Sequence, residues 1–195
     1  MAHLDIDPAG LNGRTSGEMT TFYFIRHGEM DTAMAGKKIY KGSGHDMLTL
    51  SARGIEQMRE AAADTRLAGA RSIITSPYGR ALHSAAILSK GLKLDLRVET
   101  DLHEWRADGV TYGYLPEEEA EKNYRSLIEN DGRHPEGGAC IWESAGQMKE
   151  RVMAVLDRYR DHGPVIVVCH GILMQYVLGI DHPRYGQIEA FVVDR

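Results

Sequence analysis

Two histidines and two arginines stand where strand-like runs of this chain end. The segment "FYFIRHGEMD" (22–31) passes from apolar strand formers directly into Arg26, His27, Gly28 and Glu29. The continuous apolar run "PVIVVC" (164–169) passes into His170 and Gly171. Between them, "RSIIT" (71–75) is followed by Ser76 and Pro77, and then by Arg80 in the first turn of an expected helix. Guanidinium forks, imidazoles and helix N-termini with free N–H groups together suit a tetrahedral dianion such as phosphate. Taken singly, each piece has an ordinary reading. A histidine at a strand end is more often a satisfied structural group. A helical arginine is more often solvated, and a glycine after a strand often marks a tight turn. Two strand-terminal His-Gly pairs, one preceded by arginine, are harder to explain by turn chemistry alone.

The elements that must position these residues alternate along the chain. "TTFYFI" (20–25) has the β-branched and aromatic content of a strand. "SARGIEQMREAAADTRL" (51–67) is rich in helix formers, with Ser51 as N-cap. "YGRALHSAAILSK" (78–90) reads as a helix, and "LKLDLRVET" (92–100) alternates in strand fashion. "PEEEAEKNYRSLIEN" (116–130) opens with the proline and acids of a helix N-terminus, and Ala120, Tyr124, Leu127 and Ile128 fall on one face. Ser144 with Gln147 forms a capping-box pattern ahead of Met148, Val152, Val155, Leu156 and Tyr159. "PVIVVC" suits a strand covered on both faces, "GILMQYVLGI" follows as a short helix, and "QIEAFVV" (187–193) closes as a strand. Alternation of this kind predicts an α/β fold, a three-layer αβα sandwich around a mostly parallel central sheet. In open α/β sheets, ligands bind outside the carboxyl ends of the strands. Arg26, His27, Arg80 and His170 are therefore expected to meet in one crevice.

Composition bounds the alternatives. The 195 residues suffice for one domain with a substantial core, and 43% apolar with 26% charged residues is ordinary for a globular protein. A formal charge of −5 argues against a general nucleic-acid binder, so any anion site must be a local cluster. The two cysteines, Cys140 and Cys169, suggest a reducing, cytoplasmic setting. No apolar stretch approaches the roughly 18 to 20 residues of a membrane-spanning helix, so no membrane association is expected. Residues 1–18 are polar and lack the apolar middle of a signal peptide, and residues 1–19 are expected to form a flexible arm or a foreign remnant. Residues 20–195 are expected to make a single domain. There is no G-x-G-x-x-G after the first strand, which excludes a dinucleotide-binding oxidoreductase of the usual kind.

Six segments, in order, resemble one known family. "FIRHGE" is similar to the signature of the histidine phosphatase superfamily, which includes cofactor-dependent phosphoglycerate mutases and small-molecule phosphatases. "LSARGIEQM" (50–58), "TSPYGRALHSA" (75–85), "DLHEW" (101–105), "WESAGQMKERV" (142–152) and "VVCHG" (167–171) resemble the family's later motifs, from about residue 20 onward. The resemblance implies a phosphoglycerate mutase-like sandwich with a short cap insertion at about 104–142. It implies that His27 is the nucleophile, forming a phosphohistidine, and that Arg26, Arg80 and His170 hold the phosphate oxygens. Glu104 would donate the proton to the leaving alcohol, a role that calls for a raised pKa. Gly28 and Gly171 would let phosphate approach the backbone. The chemistry agrees, since phosphoryl transfer is mostly positioning and charge stabilisation, and a neutral imidazole can carry a covalent intermediate. No metal and no cofactor are called for.

Two departures from the family pattern stand out. The family usually has an asparagine where this chain has Ala33, so Ser43, His45 or Thr32 is expected to supply the missing phosphate donor. The loop "KGSGHDMLTLS" is one residue longer and lacks the usual proline. The cap carries Trp105, Arg106, Tyr112, Tyr114, Lys122, Tyr124, Arg125, Arg133 and His134, suited to an ester with a ring or a second anionic group, although Lys122 and Arg125 equally suit a solvated helix face. The expected partner is a small-molecule phosphate ester, without nucleic acid or membrane, and a homodimer is left open. A phosphomonoesterase is favoured over a mutase because the cap is short. A weakly active or non-catalytic phosphate-binding relative is the third reading.

Overall fold

A computed structural model describes residues 19–194 of the chain. The expected arm lies outside the described residues except for Met19, which is the first residue of a strand and pairs with Asp194. Five strands form one sheet: β1 (Met19–Arg26), β2 (Ser72–Thr75), β3 (Leu96–Val98), β4 (Val165–Cys169) and β5 (Ile188–Asp194). Their order is β3-β2-β4-β1-β5, parallel throughout except for the antiparallel edge strand β5. The α/β sandwich with a mostly parallel sheet is as the alternation predicts.

The described residues form five α-helices, α1 (Ala52–Ala62), α2 (Gly79–Leu92), α3 (Glu117–Glu129), α4 (Ala145–Asp157) and α5 (Gly171–Leu178), of which α1, α2, α4 and α5 pack on the sheet. The pleat of the central strands sorts their side chains between two cores. Phe22 and Phe24 of β1, with Val165, Val167 and Cys169 of β4, pack against Met148, Val152, Val155 and Leu156 of α4 and Leu173, Met174 and Val177 of α5. Ile25, Ile166 and Val168 face the other way, onto Met58 and Ala61 of α1 and Ala81, Ala85 and Leu88 of α2. Each such side chain contributes about 1.5–3 kcal/mol by leaving water, which is what fixes the strand register.

The helix starts are set locally. The Ser51 hydroxyl accepts from the Gly54 N–H at 3.0 Å, and Ser144 with Gln147 closes the expected capping box at the head of α4. Three expectations are corrected. The first helix stops at Ala62, because Asp64 caps a separate 3₁₀ turn at Thr65–Gly69 through the Arg66 N–H. The strand expected over 92–100 shrinks to Leu96–Val98, because α2 runs on to Leu92 and β3 is an edge strand paired only with β2. Ile128 is exposed at 48%, since α3 buries only Leu127 fully. Helical period locates a face without saying how much protein covers it.

The order of the strands places the chemistry. β2, β4 and β1 are consecutive, and their carboxyl ends are in register, with Arg26 opposite Cys169 and Thr75 opposite Val168. The His27 N–H donates to the Cys169 carbonyl at 3.0 Å, and the Ser76 N–H donates to the Val168 carbonyl at 3.0 Å. His170 thus emerges between His27 and Ser76.

Candidate active site

His27 is only 5% exposed and sits beside His170, with ring centroids 5.2 Å apart. Its Nδ1 lies 2.7 Å from the Gly28 carbonyl oxygen. A carbonyl only accepts, so Nδ1 carries the proton and Nε2 keeps its lone pair. Burial lowers the pKa of His27 to about 3, helped by the charges of Arg80 and Arg26 and opposed by the Gly28 carbonyl. The imidazole is neutral near pH 7, with one nitrogen free to attack. His170, fully buried, is likewise held well below the usual imidazole range, first by burial and then by Arg80 and His27.

Arg80 stands in the first turn of α2, 7% exposed, with its guanidinium carbon 4.8 Å from the Tyr78 ring centroid. The hydroxyl of Ser84, one turn on, donates to the Arg80 carbonyl at 2.7 Å and accepts from the Gly28 N–H at 3.1 Å. That bridge ties the end of β1 to the start of α2. It also gives Gly28 a structural role. Its N–H is engaged by Ser84, and a Cβ there would lie 2.4 Å from the Gly54 carbonyl oxygen. Gly54 is equally constrained, as its Cβ would lie 2.1 Å from the Glu29 carbonyl oxygen. The crossing of two backbones is sufficient to require a glycine at position 28.

Gly171 is explained in a similar way, since a Cβ there would meet the Arg26 guanidinium at 3.1 Å. Arg26 crosses this glycine, donates from Nη1 to the Pro183 carbonyl at 2.6 Å and stacks 4.0 Å over the Tyr185 ring. Its Nε is buried with no protein partner. Tyr185 also flanks His27, with ring centroids 5.6 Å apart.

Glu104 lies in an irregular stretch after β3. Its carboxylate accepts from the Trp105 and Leu173 N–H groups through Oε1 and from the Ile172 N–H through Oε2. Three of about four lone-pair sites are thereby occupied. Glu143 holds this stretch in place: its carboxylate is forked by Arg151, with Nε–Oε1 2.5 Å and Nη2–Oε2 3.0 Å, while its carbonyl accepts from the Trp105 indole at 2.7 Å.

A cavity of about 600 Å³ opens in front of Arg80 and Glu104. Among its walls are Ser43, His45, Asp46, Tyr78, Arg106 and Tyr114. Of the donors suggested for the missing asparagine, Ser43 and His45 line this cavity. Ala33 and Thr32 sit in an exposed turn, where the Ala33 N–H donates to Asp31. Of the cap residues singled out in the sequence, Trp105, Arg106 and Tyr114 reach the cavity. Lys122 and Arg125 are exposed on α3, Arg125 in an ion pair with Glu121, and His134 donates from Nε2 to the Trp142 carbonyl away from the cavity. Asp46 was not anticipated. Its carboxylate stands 3.5 Å from Arg80 and 3.6 Å from Arg106, in a segment with no periodic pattern to read. Ser76, Ser84 and Tyr185 were also missed as partners of the site, although Ser76 lies inside a quoted motif. Among the described residues no group of three or more His, Cys, Asp or Glu side chains is placed to hold a metal ion.

Residues 22–188 match the model of the histidine phosphatase superfamily, branch 1. The probable phosphoglycerate mutase GpmB of Escherichia coli O139:H28 is 30% identical over 173 residues, spanning 83% of this chain and 76% of that protein. The equivalent protein of Shigella boydii serotype 18 matches to the same extent, at 30% identity over 83% of this chain and 76% of its own. Among solved structures, a putative alpha-ribazole-5'-P phosphatase from Escherichia coli K-12 shares the fold with a TM-score of 0.62 at 22% identity, covering 90% of this chain and 92% of that one. A phosphoglycerate mutase from Bacillus anthracis does so at 0.64 and 17% identity, covering 91% and 89%. The shared motifs, the fold and the pair of buried histidines at adjoining strand ends agree: the chain belongs to the histidine phosphatase superfamily, branch 1.

Proposed function

We propose that this protein is a phosphomonoesterase acting on a small phosphorylated metabolite through a phosphohistidine on His27. One observation carries the reading: a buried, neutral His27, anchored through Nδ1 and free at Nε2, beside His170 and Arg80. In the first step the Nε2 lone pair forms a bond to phosphorus as the ester P–O bond breaks. The leaving oxygen takes the proton of Glu104, which lines the cavity in front of Arg80. In the second step water attacks the phosphohistidine, Glu104 recovers a proton, and inorganic phosphate leaves with His27 restored. Arg80 and Arg26 would neutralise the charge on the equatorial oxygens, which is the larger part of phosphoryl-transfer catalysis. With that charge in place the reaction needs no metal, and none is proposed. Ser43 is the proposed replacement for the family's asparagine.

A mutase is the second reading, favoured by the names of the curated relatives that share 30% identity with the chain. Against it stands the second cationic group of the cavity. Arg106 donates from Nη1 to the Tyr78 hydroxyl at 3.2 Å and from Nη2 to the Tyr112 carbonyl at 2.7 Å, and it faces Asp46. A bisphosphorylated donor would have to compete with these partners. The two cysteines are free thiols, Cys169 fully buried, which supports a reducing, cytoplasmic setting. The experiment is release of phosphate from p-nitrophenyl phosphate and from a panel of phosphorylated metabolites, with and without EDTA. Turnover unaffected by EDTA, with an acid-labile, base-stable label on His27, is expected. Hydrolysis by His27→Ala at the wild-type rate would overturn the assignment.

A further inference from the structure

His170 Nε2 lies 2.7 Å from Ser76 Oγ, and its Nδ1 is buried without a hydrogen-bond partner among the described residues. Both residues are fully buried. The Ser76 hydroxyl has a second contact: the Tyr78 N–H donates to it at 3.3 Å. These bonds distinguish two tautomers of the neutral ring. If Nε2 carried the proton, Ser76 Oγ would accept from both Tyr78 and His170, and its own proton would have no acceptor within the protein. Nδ1 would then hold a lone pair in a site built for an anion. If Nδ1 carries the proton, the Ser76 hydroxyl accepts from Tyr78 and donates to Nε2, and every group is paired except one N–H. That leftover N–H has the polarity a phosphoryl oxygen requires. The ring is neutral, through burial and the nearby Arg80, so it has only one proton to place.

We propose that Ser76 is a positioning residue that fixes the tautomer of His170, so that Nδ1–H is the donor presented to a bound phosphoryl oxygen. This rests on the phosphomonoesterase reading above and on the family resemblance, which implies that His170 holds a phosphate oxygen. Ser76 touches no reacting atom itself. It works through His170, and the Tyr78 N–H at the head of α2 works through Ser76. The device ties the ends of β2 and β4 into one unit: the backbone register puts Ser76 beside His170, and the hydroxyl then orients the ring.

Nitrogen chemical shifts of protein labelled with ¹⁵N-histidine read the tautomer without any substrate. Wild type is expected to show His170 protonated at Nδ1 and bare at Nε2. In Ser76→Ala the Nε2–H form should appear, with kcat on p-nitrophenyl phosphate falling roughly tenfold or more and KM changing little, as for a lost oxyanion donor. Vanadate should bind correspondingly more weakly. The pair Ser76→Thr and Ser76→Val covers the case of an unfolded alanine variant, because the two are alike in shape and differ in the hydroxyl. Threonine should retain the wild-type tautomer and valine should lose it. A wild-type His170 carrying its proton on Nε2, or a tautomer unchanged between the threonine and valine variants, would overturn the proposal. A protein with no turnover on any ester, but with the shift pattern described, counts against the hydrolase reading and supports the assignment to Ser76.

Discussion

Asp46 holds a carboxylate oxygen 3.5 Å from Nη1 of Arg80, an arginine proposed above to neutralise the phosphoryl group. The ion pair is mostly shielded, with Arg80 9% and Asp46 28% exposed at the side chain. Because Gly79 has no side chain, the segment carrying Asp46 comes close to α2; a Cβ at Gly79 would lie 2.4 Å from the Met47 carbonyl oxygen. A dianion entering the site must displace this carboxylate or share Arg80 with it.

Asp46→Asn should therefore tighten the binding of inorganic phosphate and vanadate. Partly exposed ion pairs contribute on the order of 1 kcal/mol, so a gain of roughly fivefold is expected. Inhibition constants measured at two salt concentrations check this. Equal or weaker inhibition in the variant would mean that Asp46 serves to orient Arg80 and Arg106 instead of competing with the ligand.

The buried neutral histidines give a prediction for stability against pH. Unfolded histidine takes a proton near pH 6.5, whereas folded His27 does so only near pH 3. Between those values the unfolded state binds more protons, so stability rises with pH across the window. The contribution is complete above about pH 6.5 and is lost progressively as the pH falls toward 3. His170, held low by the same burial, adds to the effect. Urea unfolding at pH 7.5, 6 and 5 should show a steady loss, and His27→Gln should flatten the slope.

The parts of this fold that were legible in the sequence are those encoded within a few neighbouring residues. Apolar runs named the strands, and the polar residues closing them named His27, Arg80 and His170. The capping patterns at Ser51 and Ser144 marked two helix starts correctly. What stayed hidden depends on residues far apart in the chain. Nothing near Gly28 announces that Gly54 will press against it. Asp46 lies in a 3₁₀ segment without period, and only the fold brings it to Arg80. The pattern 92–100 fits a strand, but the preceding helix claims its first residue and the sheet edge supports only three of them.

Gly28→Ala tests the crossing directly. The added methyl would meet backbone atoms of Gly54 at 2.4 to 3.0 Å, and backbone cannot swing aside as a flexible side chain can. Overpacking of this kind typically costs about 1–3 kcal/mol. A lower melting temperature is expected, together with lost activity, because the strand end that moves carries His27. Gly54→Ala should act on the same contact, so the double variant should be less destabilised than the sum of the two.

Glu104 offers the sharpest separation between proton donor and structural acid. If it protonates the leaving oxygen, Glu104→Gln should slow hydrolysis of alkyl phosphates by roughly 10²–10⁴-fold, the usual range for general acid catalysis. p-Nitrophenolate leaves readily without a proton, so p-nitrophenyl phosphate should be affected far less. Glutamine keeps a carbonyl oxygen able to accept from the Ile172 or Leu173 N–H, so the N-terminus of α5 should stay in place. A melting temperature near wild type would confirm that. Equal losses on both substrates would assign Glu104 to holding α5 and not to proton transfer. The leaving-group dependence of kcat, measured across a series of phosphate esters with increasingly basic leaving groups, decides between the two: a steep rise in the effect of the substitution with basicity is the expected result.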